Sequence, residues 1–543
     1  MSDMTAAQKA LFDKLKKTTD KAAVVAAKPA PRVRSKAAAA PPPNDVRSDL
    51  PVTQFSDPDA EFVDRMRQYN ERYAFVVWGK DGVIVKKPRD GAPFEVQRLE
   101  TFYNRHKNDV LFRPNTRNVQ TPREAAREWM KWPHRATYEG VGFSPAGNLA
   151  DDVLNLWTGF AVAPKKGDWS HLLNHIYVVT CRENPVYFAS VMSWLAHIVQ
   201  RPEERHNTAI VTKGLPGSGK TTPPWFFSKL IPNNRALIAK GHTLTGKFNA
   251  PLAHALLVHI EEAIWAGDDE AEGVLKSLIS EPVHMIERKG LDQQAVPNFT
   301  YLWMNSNNDW VVPVRRGDRR FLVLQGLDTF ATSAASDDER RAHFDPIYRQ
   351  MNSAEGLAAM LYDLQHLRQP DWIDLRSPVK TPWLAEQREA TFETYEAWLY
   401  QVLQDGGITS DNGSDFDFEG EKPLTVPKNT VRWSLHAFAR ESRRGKAIDE
   451  AALGKFLARF GVKTVRPRDV ALGGVRMRCY EFPALDVMRE RFSDVYGVSF
   501  GTGATDVPNA HLSNADVCSL GTEGINANEL GRWRQYGEGG ELP

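Results

Sequence analysis

One stretch constrains this chain more than any other: Thr208–Thr222, TAIVTKGLPGSGKTT, where an apolar run leads into Gly214-x-x-x-x-Gly219-Lys220-Thr221. That spacing is the phosphate-loop pattern. Glycines at 214, 217 and 219 let the backbone turn its N–H groups inward around a polyphosphate, which side chains would obstruct. The amides of Ser218 and Thr222 extend the same run, Lys220 can reach the β- and γ-phosphates, and the Thr221 hydroxyl can hold Mg²⁺. The alternative, a chance glycine-rich turn, is disfavoured by the strand before it and the carboxylates after it. The expectation is an α/β chain built on a phosphate-loop ATPase core, with ATP and Mg²⁺ as cofactors.

At 543 residues the chain has room for about three to four domains. A formal net charge of +1 gives no global field, so any nucleic-acid binding must come from local patches. Cys181, Cys479 and Cys518 are far apart, which disfavours a disulfide framework or a zinc site and fits a reducing compartment. No apolar run approaches the roughly 18 residues of a membrane span, and the N-terminus lacks a signal core. A soluble, cytoplasmic protein with no membrane partner is expected.

Composition divides the chain. Residues 1–52 read as a basic Ala/Pro-rich tail, too poor in apolar groups to order itself. Residues 53–200 form an α+β region, with a hairpin over Tyr73–Lys87 turning at Lys80-Asp81-Gly82 and a buried helix over Tyr187–Gln200. Its tryptophans, Trp129, Trp132, Trp157, Trp169 and Trp194, read as core in preference to base-stacking platforms.

The nucleotide domain occupies 201–330. Pro223 and Pro224 predict a short or distorted helix after the loop. Leu256–Ile260 is a buried strand delivering Glu261, for the Mg²⁺ shell, and Glu262, to polarise an attacking water. His284–Gly290 suggests a hairpin with Arg288 and Lys289 at its tip. A further strand, Phe299–Met304, ends in amides of which Asn307 can orient the water. Arg319 and Arg320 precede the strand Phe321–Leu324, where a guanidinium could serve a neighbouring subunit's nucleotide.

The succession GLPGSGKT, LLVHIEE, LKSLISEPVHMIERKG, YLWMNSNN and GDRRFLVL resembles the superfamily 3 helicases, most closely the phage and plasmid primase–helicases related to the poxvirus type. The resemblance implies an AAA+-like ATPase, a hexameric homo-oligomer that translocates on single-stranded DNA and unwinds forked duplex. It assigns Lys220 and Thr221 to the first motif, Glu261 and Glu262 to the second, Lys276–Lys289 to a DNA-contacting hairpin region, Asn307 to the sensor, and Arg319 or Arg320 to the finger. Glu261 stands where many relatives carry Asp, which changes reach and keeps charge. No primase half is recognisable, so intrinsic priming is not expected and a separate primase or polymerase would be a partner.

Beyond this core, 331–404 reads as a helical extension and 405–426 as an acidic linker. Residues 427–500 have the outline of a winged helix, and 501–543 read as a flexible tail. In the wing, Arg476 and Arg478 alternate with Val475, Met477 and Cys479, giving one basic face for DNA or for solvent. Three functions fit: a ring helicase of phage or plasmid replication, an origin-melting or helicase-loading ATPase without processive unwinding, or a nucleotide-gated DNA-binding scaffold.

Overall fold

A computed structural model describes residues 60–500, apart from 79–80, 90–93, 115, 118, 240–248, 263–268, 288–293, 412, 414, 443–448 and 470–474. The expected tails at 1–52 and 501–543 lie outside the described residues. No helix among the described residues is long and apolar enough to cross a membrane.

Helix α1 (Ala60–Arg72) buries Phe62, Met66 and Tyr69, spaced to fall on one face. It runs into β1 (Tyr73–Trp78), which pairs antiparallel with β2 (Asp81–Lys86) from Tyr73↔Lys86 to Trp78↔Asp81. The hairpin is therefore tighter than expected, with Asp81 and Gly82 already in the second strand. Gly82 is required there because a Cβ would meet the Phe75 ring at 2.5 Å. With β3 (Glu95–Gln97) and β4 (Thr137–Tyr138) these strands form a sheet of order β3-β2-β1-β4. Trp129, Trp157, Trp169 and Trp194 are buried and Trp132 is half-buried, so they act as core. Helix α2 (Ser170–His175) and the long apolar α3 (Pro185–Gln200), capped by the Asn184 side chain, connect this region to the central sheet.

The central sheet is all parallel: β5 (Ala209–Lys213), β6 (Arg235–Ile238), β7 (Leu257–Ile260), β10 (Tyr301–Ser306) and β11 (Phe321–Gln325), in the order β6-β7-β10-β5-β11. Its strands read as continuous apolar runs because both faces are covered. Ile210, Leu257, Tyr301, Trp303, Leu322 and Leu324 face one core, which extends to α3 and to Ala74 and Val76 of β1. Ala209, Val211, Val258, Ile260, Leu302, Met304, Phe321 and Val323 face a second core, closed by Leu275 and Ile279 of α5 (Asp269–Ser280). After the glycine-rich loop, α4 (Thr222–Ser228) is short, as expected; its prolines fall in the opening positions, where no N–H is needed. Between α5 and β10, β8 (Val283–Ile286) and β9 (Gln294–Pro297) form the expected hairpin.

The extension expected over 331–404 divides among three cores, with Leu384 of its third helix in the second core of the central sheet. Ile347 and Met351 of α6 (Asp337–Met351) and Leu361 of α7 (Ala354–His366) pack on the first core of the central sheet. Helix α8 (Pro382–Ala390) lies by β11, and α9 (Thr394–Asp405) belongs to a separate C-terminal core. Residues 405–426, expected as an acidic linker and an unpacked loop, instead hold a hairpin, β12 (Gly407–Thr409) with β13 (Asp415–Asp417). Ile408 is 1% exposed, and Phe416 and Phe418 pack on the C-terminal core. Acidic and glycine residues dominate this stretch, but one apolar side chain per strand suffices to anchor it.

The C-terminal unit then runs β14 (Leu424–Pro427), α10 (Lys428–Glu441), α11 (Glu450–Ala458), β15 (Lys463–Val465), a small ribbon of β16 (Arg468–Asp469) with β17 (Val475–Arg476), β18 (Cys479–Phe482) and α12 (Leu485–Tyr496). Asp449 caps α11 by accepting from the Ala451 amide at 3.0 Å. The sheet order is β14-β18-β15, so β14 adds a strand that the helix–helix–hairpin outline lacked. Replacing Ile408 with Ala should destabilise the C-terminal unit by about 2 to 4 kcal/mol, whereas Asp415→Ala should change it by less than about 0.5 kcal/mol. Chemical denaturation followed by hydrogen exchange in 394–500 checks both, and equal, negligible effects would restore the linker reading.

Candidate functional site

Because β5, β7, β10 and β11 run parallel, their C-terminal ends open on one edge of the sheet, where polar residues following each strand converge. The glycine-rich loop expected to bind phosphate follows β5. Gly217 and Gly219 have φ of 80° and 94°, the left-handed region that glycine adopts without strain. The Lys220 ammonium donates to the carbonyls of Gly214 at 2.8 Å and Leu215 at 2.7 Å and to Asn307 Oδ1 at 2.8 Å. Asn307 Nδ2 in turn donates to Glu262 Oε1 at 2.5 Å. Three expected site residues from three separate strand ends are thus joined in one hydrogen-bonded chain.

Burial lowers the Lys220 pKa, and the charges of Asp328 and Glu262 work against that shift. Glu262 itself adopts φ 52°, a conformation costing a non-glycine residue roughly 1 to 3 kcal/mol, as seen where function holds a side chain in place. Glu261 ends β7 with its N–H bonded to Ile238 O at 2.8 Å, and its side chain is half-buried. Among the amides, Asn305 is buried against His259 at 2.8 Å, which leaves Asn307 to face the loop. Ser218 is fully buried and its hydroxyl has no hydrogen-bond partner among the described residues. The Thr221 and Thr222 backbone leads directly into α4.

Several residues around the loop carried no signal in the sequence. Asp328, just past β11, accepts from the Leu215 amide at 2.7 Å. Thr332 donates through its amide and hydroxyl to Pro216 O at 3.0 and 3.3 Å. His175 Nε2 lies 3.1 Å from Gly219 O and its Nδ1 lies 2.8 Å from His343 Nε2. Asp328 could have been found, since polar residues after strands of a parallel sheet are site candidates. His175 could not, being remote in sequence and lodged in an apolar stretch.

The two arginines before β11 differ. Arg320 is held within its own subunit, donating to Ser280 Oγ at 2.9 Å and to Asp318 Oδ2 at 3.1 Å. Arg319 is exposed and makes no ion pair with any described residue. Both lie at the N-terminal end of β11, whereas the loop lies beyond the C-terminal end of its neighbour β5. A strand of this length spans roughly 13 Å, so neither arginine belongs to the cluster around Lys220 in the same chain. Arg288 and Lys289, in the connection between β8 and β9, lie outside the described residues. Arg476 and Arg478 are exposed, Met477 is half-buried and Cys479 is buried, but the single strand expected here is divided into β17 and β18, with Met477 and Arg478 between them. Among the described residues no group of three or more acidic, His or Cys side chains is built to hold a metal by itself.

Residues 212–320 match a family of unknown function, DUF5906. The matched stretch contains the glycine-rich loop, Glu261 and Glu262 after β7, Asn307 and the paired arginines. The chain is also related in sequence to the DNA primase-polymerase of Nitratiruptor phage NrS-1, with 27% identity over 246 residues, 44% of this chain and 31% of that protein. It therefore spans less than a third of that relative's length in the matched stretch. In structure it resembles the apo form of the NrS-1 C-terminal region, with a TM-score of 0.50 and 16% identity over 78% of this chain and 100% of that one. The shared fold is a mixed α/β architecture around a parallel sheet.

The different settings of the arginines can be measured. Arg320→Ala should cost about 1 to 2 kcal/mol of stability by losing two charge-assisted bonds, while Arg319→Ala should stay within about 0.5 kcal/mol. Thermal melting of both variants checks this, and equal losses would contradict the assigned contacts.

Proposed function

We propose that this chain is an ATP-dependent DNA motor of phage replication: an AAA+-like ATPase of superfamily 3 type that acts as a ring helicase on single-stranded and forked DNA. The observation that carries the reading is the chain Lys220–Asn307–Glu262, which couples a phosphate-binding cation, a sensing amide and a candidate base at one sheet edge. A replication role is supported by the relation to a phage protein named for DNA synthesis.

The residues present fit a nucleoside triphosphate with Mg²⁺. The left-handed glycines at 217 and 219 let the loop backbone close against Thr332 and His175, where a Cβ would clash, and the buried Ser218 hydroxyl, without a hydrogen-bond partner among the described residues, adds a polar group to the loop. Mg²⁺ ordinarily takes only one or two protein ligands beside phosphate oxygens, so Thr221 and Glu261 are sufficient candidates and no all-protein cage is needed. In this reading the bound triphosphate supplies the bond that is broken. Lys220 binds and neutralises it, while Glu262, oriented by Asn307, accepts a proton from the attacking water.

Arg319 serves as the finger in preference to Arg320, because Arg320 is held by Ser280 and Asp318 whereas Arg319 makes no ion pair among the described residues. Its distance from the loop of its own chain favours delivery to a neighbour, and so a homo-oligomeric ring. The β8–β9 hairpin, with Arg288 and Lys289, and the winged-helix-like C-terminal unit, with Arg476 and Arg478, are the proposed DNA contacts, binding backbone charge without reading sequence.

A second reading, primer synthesis, is favoured by the name of the related phage protein. The expectation that this chain does not prime gains no support from that relative. Unwinding of a forked duplex and template-dependent primer synthesis, assayed side by side with ATP, separate the two readings.

Lys220→Ala should abolish ATP hydrolysis and weaken ATP binding at least tenfold while leaving single-stranded DNA binding within about twofold; ordinary turnover in that variant would refute the site. Mixing inactive Arg319→Ala and Glu262→Gln subunits should restore part of the ATPase activity, since some interfaces then pair an intact finger with an intact base. Mixtures that remain as inactive as each variant alone would argue against a finger supplied in trans.

A further inference from the structure

A phosphate loop works only if successive N–H groups point inward, and something must hold the peptide planes that way. In a trans peptide the C=O and the following N–H point in opposite directions. Gripping a carbonyl from outside the loop therefore aims the next amide into it. Two such grips exist. Thr332 donates twice to Pro216 O, which directs the Gly217 N–H inward, and His175 Nε2 meets Gly219 O at 3.1 Å beside the Thr222 amide, which donates to the same oxygen at 2.9 Å; together they direct the Lys220 N–H inward.

The histidine grip has a defined proton arrangement. A carbonyl can only accept, so His175 Nε2 carries the hydrogen. In a neutral ring Nδ1 is then an acceptor, and it faces His343 Nε2 at 2.8 Å, which must donate. Phe330 stacks on His343 with ring centroids 3.7 Å apart, and Phe344 packs against both imidazoles. Burial pushes His175 down to about 3 and His343 down to about 4, so both rings are neutral at ordinary pH. Gly219 has no space for a side chain because a Cβ would lie 2.5 Å from the His175 ring.

We propose that His175, oriented by His343 and assisted by Thr332, is a positioning residue that preorganises the amide cradle for the triphosphate. The proposal rests on the nucleotide reading above and adds to it residues of two segments, 170–175 and 328–343, that flank the loop from outside. Neither histidine touches the phosphates. Their effect is to spare the loop a rearrangement on binding, so the loss falls on affinity rather than on the chemical step.

The test compares His175→Gln with His175→Phe in the full chain, measuring ATP–Mg²⁺ binding by calorimetry and steady-state hydrolysis. Gln places an amide nitrogen where Nε2 lies and should keep affinity within about threefold. Phe keeps the ring volume without the donor and should weaken ATP binding and raise KM about tenfold, equivalent to roughly 1.4 kcal/mol, with kcat within about twofold. His343→Phe, at a half-buried position, should raise KM about threefold and provides the measurement if His175→Phe does not fold. Native affinity in either phenylalanine variant, or equal losses in the Gln and Phe variants of His175, would overturn the proposal. Lys220→Ala run in parallel distinguishes the two levels: unchanged ATP binding there would reject the nucleotide site itself and the proposal with it.

Discussion

Parallel pairing of β5 with β10 on one side and β11 on the other is the constraint from which the rest follows. Strands that run the same way end on the same edge, so residues far apart in the chain are delivered together: the loop after Lys213, Asn307 after β10, and Asp328 after β11. One more strand out, β7 delivers Glu262 to the same place. Their alternating side chains fill two separate apolar cores, and covered faces are what hold such a sheet flat against its helices.

At that edge, the electrostatics are balanced locally. Lys220 is partly buried, which disfavours its charge, and the Asp328 and Glu262 carboxylates compensate. Asn307 lies between the cation and Glu262, with its oxygen toward the lysine and its nitrogen toward the carboxylate. An amide suits this position because it is both acceptor and donor; neither a second carboxylate nor a second amine could satisfy both neighbours. The strained backbone at Glu262 is consistent with a side chain whose position matters more than its local conformational cost.

The C-terminal unit has its own core and obeys different rules. It is short in secondary structure and rich in aromatics, with Phe392, Phe460, Phe492 and Tyr496 in mutual contact. Its sheet takes β14 from a stretch that composition marks as acidic and loose. The likeness to the NrS-1 C-terminal region covers 78% of this chain and is a likeness of fold, a mixed α/β architecture around a parallel sheet.

Much of the central sheet was legible from residue order alone, because a buried parallel strand is a short apolar run and a phosphate loop is a strict spacing. Glu262 and Asn307 were candidates because they follow such runs within three residues, and Lys220 because of its spacing from Gly214 and Gly219. The hairpin at 407–417 was not, since its one buried isoleucine is outnumbered by acidic and glycine neighbours. Nor could spacing distinguish Arg319 from Arg320, because that depends on which one finds Ser280 and Asp318. By itself the sequence determined the buried strands and which polar residues follow them, because that pattern is local and periodic. Only the tertiary structure decided what surrounds it, namely Asp328, Thr332 and the His175–His343 pair, because hydrogen bonds between distant segments leave no pattern along the chain.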